Sequence, residues 1–593
     1  MYQYPFRLYL YAFILFLELI SLKAPSKSAS GFLLASFYLS TSFYKDIYRF
    51  FKGLLKKRLL FLSFKDLQDI LKKDTKGSIF LGQGFEFLPK HAREINLKLK
   101  DGLTNAPSGF KGSFDIKNVE INNCQKLFTN INILKSHLLV LGTTGAGKTR
   151  LFDLLISQAI LRDDCVIVFD PKGDSDLIAN MHSCALFCKR AQDFLRLDAE
   201  DENISCTFNP IASFDNPTEI GERISALMEG SGSASSFKNY ANLAISGAVI
   251  ALLFLKKSVT LRNIKNNIMT PSIFKEAIYK FLEDVVIEKD DGKINLYFEN
   301  LQKILSENSE KKGNKKLYEL KLLEDFYNWL LNKKYIETNS NLETLFSLAK
   351  TDEEYFKKVS NGAQPILTSL TSKTRSQILS CEDYEHTLDF AKILKANKIL
   401  HISLPSLKDL NASKNLGHLL LTDLTSQASR IYTEKSLNQF NSHKNICVFI
   451  DEAGEVASQA LVQLLNKSRG ANFSLVLAIQ SFRDLVKNGG QDQALQILDN
   501  CNSKIALRVG SFESAKIFCD NLVNTKVLKE QASLGFLGHA KTLKTHDSIQ
   551  KSASYEDLPL VNPHLLLKLP DLEFFASIGG GKLLKGCLPL IKR

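Results

Sequence analysis

One glycine-rich loop, set between an apolar run and an amphipathic segment, constrains this 593-residue chain more than any other feature. Residues 136–150 read SHLLVLGTTGAGKTR, and the apolar run ends in Gly142-Thr143-Thr144-Gly145-Ala146-Gly147-Lys148-Thr149. LFDLLISQAIL follows with helical character. The order strand, glycine loop, helix is the context in which such a loop becomes a phosphate site. Its glycines let successive backbone N–H groups face one concavity, and the helix N-terminus adds partial positive charge behind them. Lys148 is then placed for the β- and γ-phosphates and the Thr149 hydroxyl for Mg²⁺. The plain alternative is a glycine turn that binds nothing. Correct flanks on both sides favour a nucleoside triphosphate, ATP, with Mg²⁺.

A second apolar run, in NICVFIDEAGE at 445–455, is hydrophobic on both faces, as a strand inside a parallel sheet is. Asp451 stands at its C-terminal end, where open α/β sheets hold their ligands, and is expected in the Mg²⁺ shell. Glu452 follows and is expected to polarise an attacking water. Alone, an apolar run ending in Asp-Glu often merely closes a strand; paired with the upstream loop it indicates hydrolysis. A third run, 473–479, ends in Gln480, a candidate sensor of the γ-phosphate. Arg469, in NKSRGANF, lies just ahead of that run. It is either an exposed, solvated arginine or a cation that reaches a neighbouring subunit's phosphates, and the second reading requires a ring.

Composition narrows the class. An apolar share of 45% with 23% charged residues is that of a folded chain long enough for several domains. A net charge of +13 suits either a polyanion or an anionic membrane surface and does not choose between them. The ten cysteines are scattered, and Cys165 and Cys447 fall in strand-like runs as reduced, buried thiols. His182, Cys184 and Cys188 form a single group of three on one expected helix, which favours packing over metal binding. The sequence holds no His-Glu-x-x-His motif.

The N-terminus carries two short apolar stretches, 6–22 and 31–44, joined by KAPSKSAS. Each is short for a span, and together they read as a two-span hairpin occupying 1–50. Lys45, Arg49, Lys52, Lys56, Lys57 and Arg58 follow directly, an asymmetry that keeps the bulk of the chain cytoplasmic. A cleaved signal peptide is the rival reading. Residues 51–115 read as a basic linker, 116–215 as the first part of an α/β nucleotide-binding domain, 216–395 as an inserted all-α domain, and 396–593 as its second part. The charged loop SENSEKKGNKK falls inside the insert, and GGGKLLKGCLPLIKR at the end reads as a final hairpin.

The ordered set GTTGAGKT, DPKGD, FNP, FIDEAGE, NKSRGANF and LAIQS, behind a two-span anchor and around a helical insert, resembles the TraD/TraG coupling proteins of conjugative type IV secretion. These are relatives of the FtsK/HerA motor ATPases. The resemblance implies a RecA-like core in a ring-forming, usually hexameric, ATPase at the inner face of the bacterial inner membrane. It implies self-association, a relaxase bound to single-stranded DNA as cargo, and a secretion channel as inner-membrane partner. By motif, Gly142 to Thr149 grip phosphates, Asp451 and Glu452 serve Mg²⁺ and water, Gln480 senses the γ-phosphate, and Arg469 acts in trans. The rivals are a platform for protein effectors without DNA and an FtsK-like translocase on double-stranded DNA; both share the same ATPase chemistry.

Overall fold

A computed structural model describes residues 61–73, 78–92, 95, 125–228, 234–268, 270–307, 315–383, 385–404, 409–436, 445–520, 522, 524–536, 547–579 and 581–592. The expected membrane hairpin, its basic flank up to Arg58 and most of the charged loop of the insert lie outside these. Two compact units divide the chain, 1–61 and 62–593, and the second contains the sheet and the helical insert.

In chain order the strands of its main sheet and of a separate long ribbon are β1 (Ser78–Glu86), β2 (Gln125–Asn130), β3 (Leu138–Leu141), β4 (Cys165–Asp170), β5 (Phe194–Asp198), β6 (Ile399–Ser403), β7 (Ile446–Ile450), β8 (Phe473–Ile479) and β9 (Ser503–Ala506). Then come β10 (Asn524–Phe536), β11 (Asp547–Pro559), β12 (Glu573–Ile578) and β13 (Lys582–Cys587). All but β10 and β11, which form their own antiparallel ribbon, build one 11-stranded sheet in the order β2-β1-β13-β12-β9-β3-β8-β7-β4-β6-β5. From β9 to β5 every pair is parallel. From β9 to β2 every pair is antiparallel. The composition explains the split. Strands β3, β4, β6, β7 and β8 are buried at every position, as central parallel strands with helices over both faces must be. The antiparallel β2 alternates exposed and buried positions and holds an edge.

The sheet therefore begins earlier than residue 116. Segment 51–115, read as a linker, supplies β1, whose Gly84 pairs with Gly586 in β13. The chain's last hairpin, β12–β13, is the element that joins β1 to the parallel half.

Between β5 and β6 the described residues of the insert are helical, apart from an isolated bridge between Phe208 and Leu388 at its base. The helix Pro217–Ser225 opens it with proline in its first turn and the Glu219 carboxylate accepting the Asn216 N–H at 3.1 Å. It lies hard against the helix Ala234–Phe254: a Cβ on Gly221 would stand 2.2 Å from the Asn242 and Ser246 side-chain oxygens. Among the described residues, 237–254 is the one stretch long and apolar enough to cross a membrane. Ala241, Ala244, Ile245, Ala248, Val249 and Leu252 of that helix are buried in the insert's core, so protein already covers this face.

The insert is tied to the sheet domain by a buried ion pair. Arg223 Nη1 lies 3.1 Å from Asp423 Oδ1 in the helix Leu410–Ser436, and Arg223 Nη2 donates to Ser213 O at 2.8 Å. Burial pushes the Asp423 carboxyl up to about 7 against the opposing charge of Arg223.

Candidate active site

Four strand ends meet at the carboxyl edge of the sheet. Leu141 of β3 pairs with Ile479 of β8, Ile450 of β7 with Leu477 of β8, and Phe169 of β4 with Ile450. The residues after each strand are thus neighbours in space although far apart in sequence: the glycine loop after β3, Asp170 ending β4, Asp451-Glu452 after β7 and Gln480 after β8. Backbone bonds lock this register, with Gly142 N donating to Ile479 O (3.2 Å), Asp451 N to Phe169 O (3.0 Å) and Ala453 N to Ala478 O (2.8 Å).

The loop has the shape its residues demand. Gly145 (φ 77°) and Gly147 (φ 115°) take left-handed backbone that side chains resist. Gly147 caps the helix Lys148–Leu161 and has no room for a Cβ, which would fall 2.9 Å from the Leu572 side chain. The far end of the chain braces this loop: Leu572 N donates to Ala146 O at 3.0 Å, and Thr143 N to Arg508 O at 2.8 Å. Arg508 is itself held by Asp571, 2.5 Å away. Sequence reasoning missed Arg508, Asp571 and Leu572, because the β9 and β12 ends reach the loop only through strand order.

Lys148 is buried and donates to Gly142 O at 2.6 Å. Burial holds its ammonium below the usual lysine value, with Glu452 and Asp451 opposing that shift. Asp451 is buried too, and desolvation pushes its carboxyl up to about 6. Its Oδ1 accepts the Glu452 N–H at 3.0 Å. Glu452 itself has left-handed backbone (φ 48°), uncommon for a residue with a side chain and concentrated at functional sites. Gln480 Nε2 donates to Glu452 Oε1 at 2.6 Å, and Thr144 of the loop donates to Gln480 Oε1 at 3.3 Å. One hydrogen-bonded line therefore runs from the phosphate loop through Gln480 to Glu452.

Arg469 is placed elsewhere. It lies in the short turn Ser468–Ala471 that feeds the amino end of β8, whereas Gln480 follows the carboxyl end. The intervening strand puts about 23 Å between the two at 3.3 Å per residue. The arginine is exposed and lines a groove of about 850 Å³ together with Lys467, Arg430 and Arg223. Of the remaining sequence candidates, Cys184 is buried, with its Sγ 3.7 Å from Ser157 O, and His182 sets its ring edge against Phe194.

A central parallel sheet whose glycine loop, buried acidic strand end and glutamine share one edge defines a P-loop α/β protein. Similarity to known proteins narrows the class. The family model described as the TraM recognition site of TraD and TraG matches residues 445–571, and that of the central domain of helicase HerA matches 121–191. The type 4 coupling protein DotL of Legionella pneumophila is 22% identical over 452 residues, 70% of this chain and 52% of its own. The chain thus spans about half the length of that relative. The solved bacterial conjugative coupling protein TrwB, in an unbound monoclinic form, has a TM-score of 0.50 at 15% identity, covering 88% of this chain and 97% of that one; this is a likeness of fold. The chain is thus similar to the TraD/TraG type IV coupling proteins.

Proposed function

We propose that the chain is a membrane-anchored, ring-forming ATPase that hands a relaxase with its single-stranded DNA to a type IV secretion channel and drives transfer by hydrolysis. The observation that carries the ATPase reading is the gathering of the glycine loop, Asp451 and the Gln480–Glu452 pair at adjacent strand ends. The loop from Gly142 to Thr149 binds the phosphates, with Lys148 as its cation. The donor set suits a divalent ion: an aliphatic hydroxyl at Thr149 and, at Asp451, a buried carboxylate, both oxygen donors at the carboxyl edge of the sheet. Thr149 and Asp451 would hold Mg²⁺, which neutralises phosphate charge when bound. Glu452 accepts the proton of the attacking water, and Gln480, bonded both to Glu452 and to the loop, reports the γ-phosphate to it. Arg469 cannot serve its own site across the length of β8, which supports a role in a neighbour's site and hence a ring.

The family supports the cargo reading, and the net charge of +13 agrees with a polyanionic cargo. Its test uses the full chain in detergent micelles. Single-stranded DNA should bind with affinity that falls steeply as salt rises, through counterion release, and should raise ATP turnover. Turnover unaffected by single-stranded DNA, with no binding at low salt, would assign the chain to protein cargo instead. Selective stimulation by duplex DNA would point to a double-strand translocase.

A further inference from the structure

Two cations face the acidic end of β7, and only Lys148 belongs to the phosphate loop. The other is Lys172, in the turn Asp170-Pro171-Lys172-Gly173-Asp174 that follows β4. Its Nζ forms an ion pair and hydrogen bond with Glu452 Oε1, the same oxygen that accepts from Gln480.

Three features separate this contact from an ordinary surface ion pair, which is worth little. The first is the support under Lys172. The Asp170 carboxylate accepts the backbone N–H groups of Lys172 (3.0 Å), Gly173 (3.0 Å) and Asp174 (2.7 Å), so one side chain fixes the whole turn. Asp170 is fully buried and takes a further hydrogen bond from His401 Nε2 of β6 at 3.2 Å. Burial pushes Asp170 up, but His401 and these N–H groups outweigh it, and its carboxyl sits below the ordinary range. The second feature is the partner. Glu452 is aimed by left-handed backbone and by its own N–H on Asp451, so neither end of the pair is a freely rotating surface chain. The third is convergence. Lys172 arrives from β4 and Gln480 from β8, on the two sides of β7, and both land on one carboxylate oxygen, Oε1.

We infer that Lys172 is a positioning residue for Glu452, holding the carboxylate by one oxygen so that the other is presented to the attacking water. The inference rests on the proposed role of Glu452 as base and adds to it a group that the sequence motifs leave without a task. The logic is that of a base oriented by a third group. Lys172 need not touch nucleotide to act, since its effect passes through Glu452. The buried His401–Asp170 pair acts one step further back, by holding the turn.

The test is steady-state ATP turnover of the full chain, with nucleotide affinity and melting temperature measured on the same samples. Lys172 is half-exposed, so Lys172→Met removes the charge and the donor without opening a cavity. We expect kcat to fall about 10²-fold, the cost of a misplaced catalytic group, while KM, ATP affinity and melting temperature hold. Lys172→Arg should recover much of the loss. Should Lys172→Met fold poorly, Lys172→Gln, which keeps a donor without the charge, takes its place, with turnover expected below that of Lys172→Arg. Unchanged or faster turnover in a folded Lys172→Met protein overturns the inference, as does a loss that appears wholly in ATP affinity. The two readings fail separately: wild-type turnover in Glu452→Gln removes the base itself, whereas an inactive Glu452→Gln beside a fully active Lys172→Met removes only the positioning role.

Discussion

Lys148 and Asp451 are buried ionisable groups facing each other across the loop, and each is displaced from its ordinary pKa by burial. Such pairs are costly unless something bound compensates them, which is why they concentrate at working sites. Replacing Lys148 with alanine removes the cation of the phosphate cradle. The expected result is no turnover, with ATP affinity weakened by at least about 10-fold, the worth of one hydrogen bond to a charged group. Equilibrium binding of a fluorescent ATP analogue checks it, and unaltered affinity would deny Lys148 that role. Much of this site was legible in the sequence because each motif is local: glycines before a helix, Asp-Glu after an apolar strand, Gln after another. Lys172 stands within DPKGD yet shows no role there, because its pairing with Glu452 depends on β4 lying beside β7, a fact of strand order. Arg508 and Leu572 escaped for the same reason.

Among the elements, the helical insert is fastened to the sheet domain by the Arg223–Asp423 pair, and its first two helices are held together by close packing at Gly221. A β-branched residue in place of Gly221 must push the Asn242 and Ser246 side chains apart. Gly221→Val should therefore destabilise by about 1–3 kcal/mol, the usual cost of overpacking, read as a lower denaturation midpoint; an unchanged midpoint would deny the close approach. Asp423 makes a pH-dependent prediction. Its folded pKa, about 7, lies above the ordinary carboxylate value of 3.8, so the fold prefers the protonated form. The associated stability is fully present below the unfolded pKa and is lost as pH rises through about 7. Melting curves of Asp423→Asn and wild type should thus diverge in the variant's favour between pH 5 and pH 8. A constant difference, or divergence the other way, would contradict the assignment. Element boundaries were least legible where composition is mixed: β1 reads as linker because its pairing partner, β13, lies at the opposite end of the chain.

At the scale of the whole molecule, the position of Arg469 separates a solitary enzyme from a ring. It stands at the amino edge of the sheet, whereas the glycine loop, Asp451 and Gln480 stand at the carboxyl edge, so on the proposed reading any service to phosphate is to another copy. Mixed oligomers of Arg469→Ala and Lys148→Ala subunits, each inactive alone, should regain part of the turnover because some interfaces join an intact loop to an intact arginine. No recovery at any ratio, in oligomers shown to be mixed, would leave Arg469 a solvated surface residue. Hydrolysis at the joined ends of β3, β7 and β8 is the central claim, and its most direct measurement is ATP turnover by Glu452→Gln beside its ATP binding. The amide fills the same space but cannot take a proton from water. The predicted result is ATP bound as tightly as by wild type with turnover abolished; wild-type turnover in that variant would contradict it.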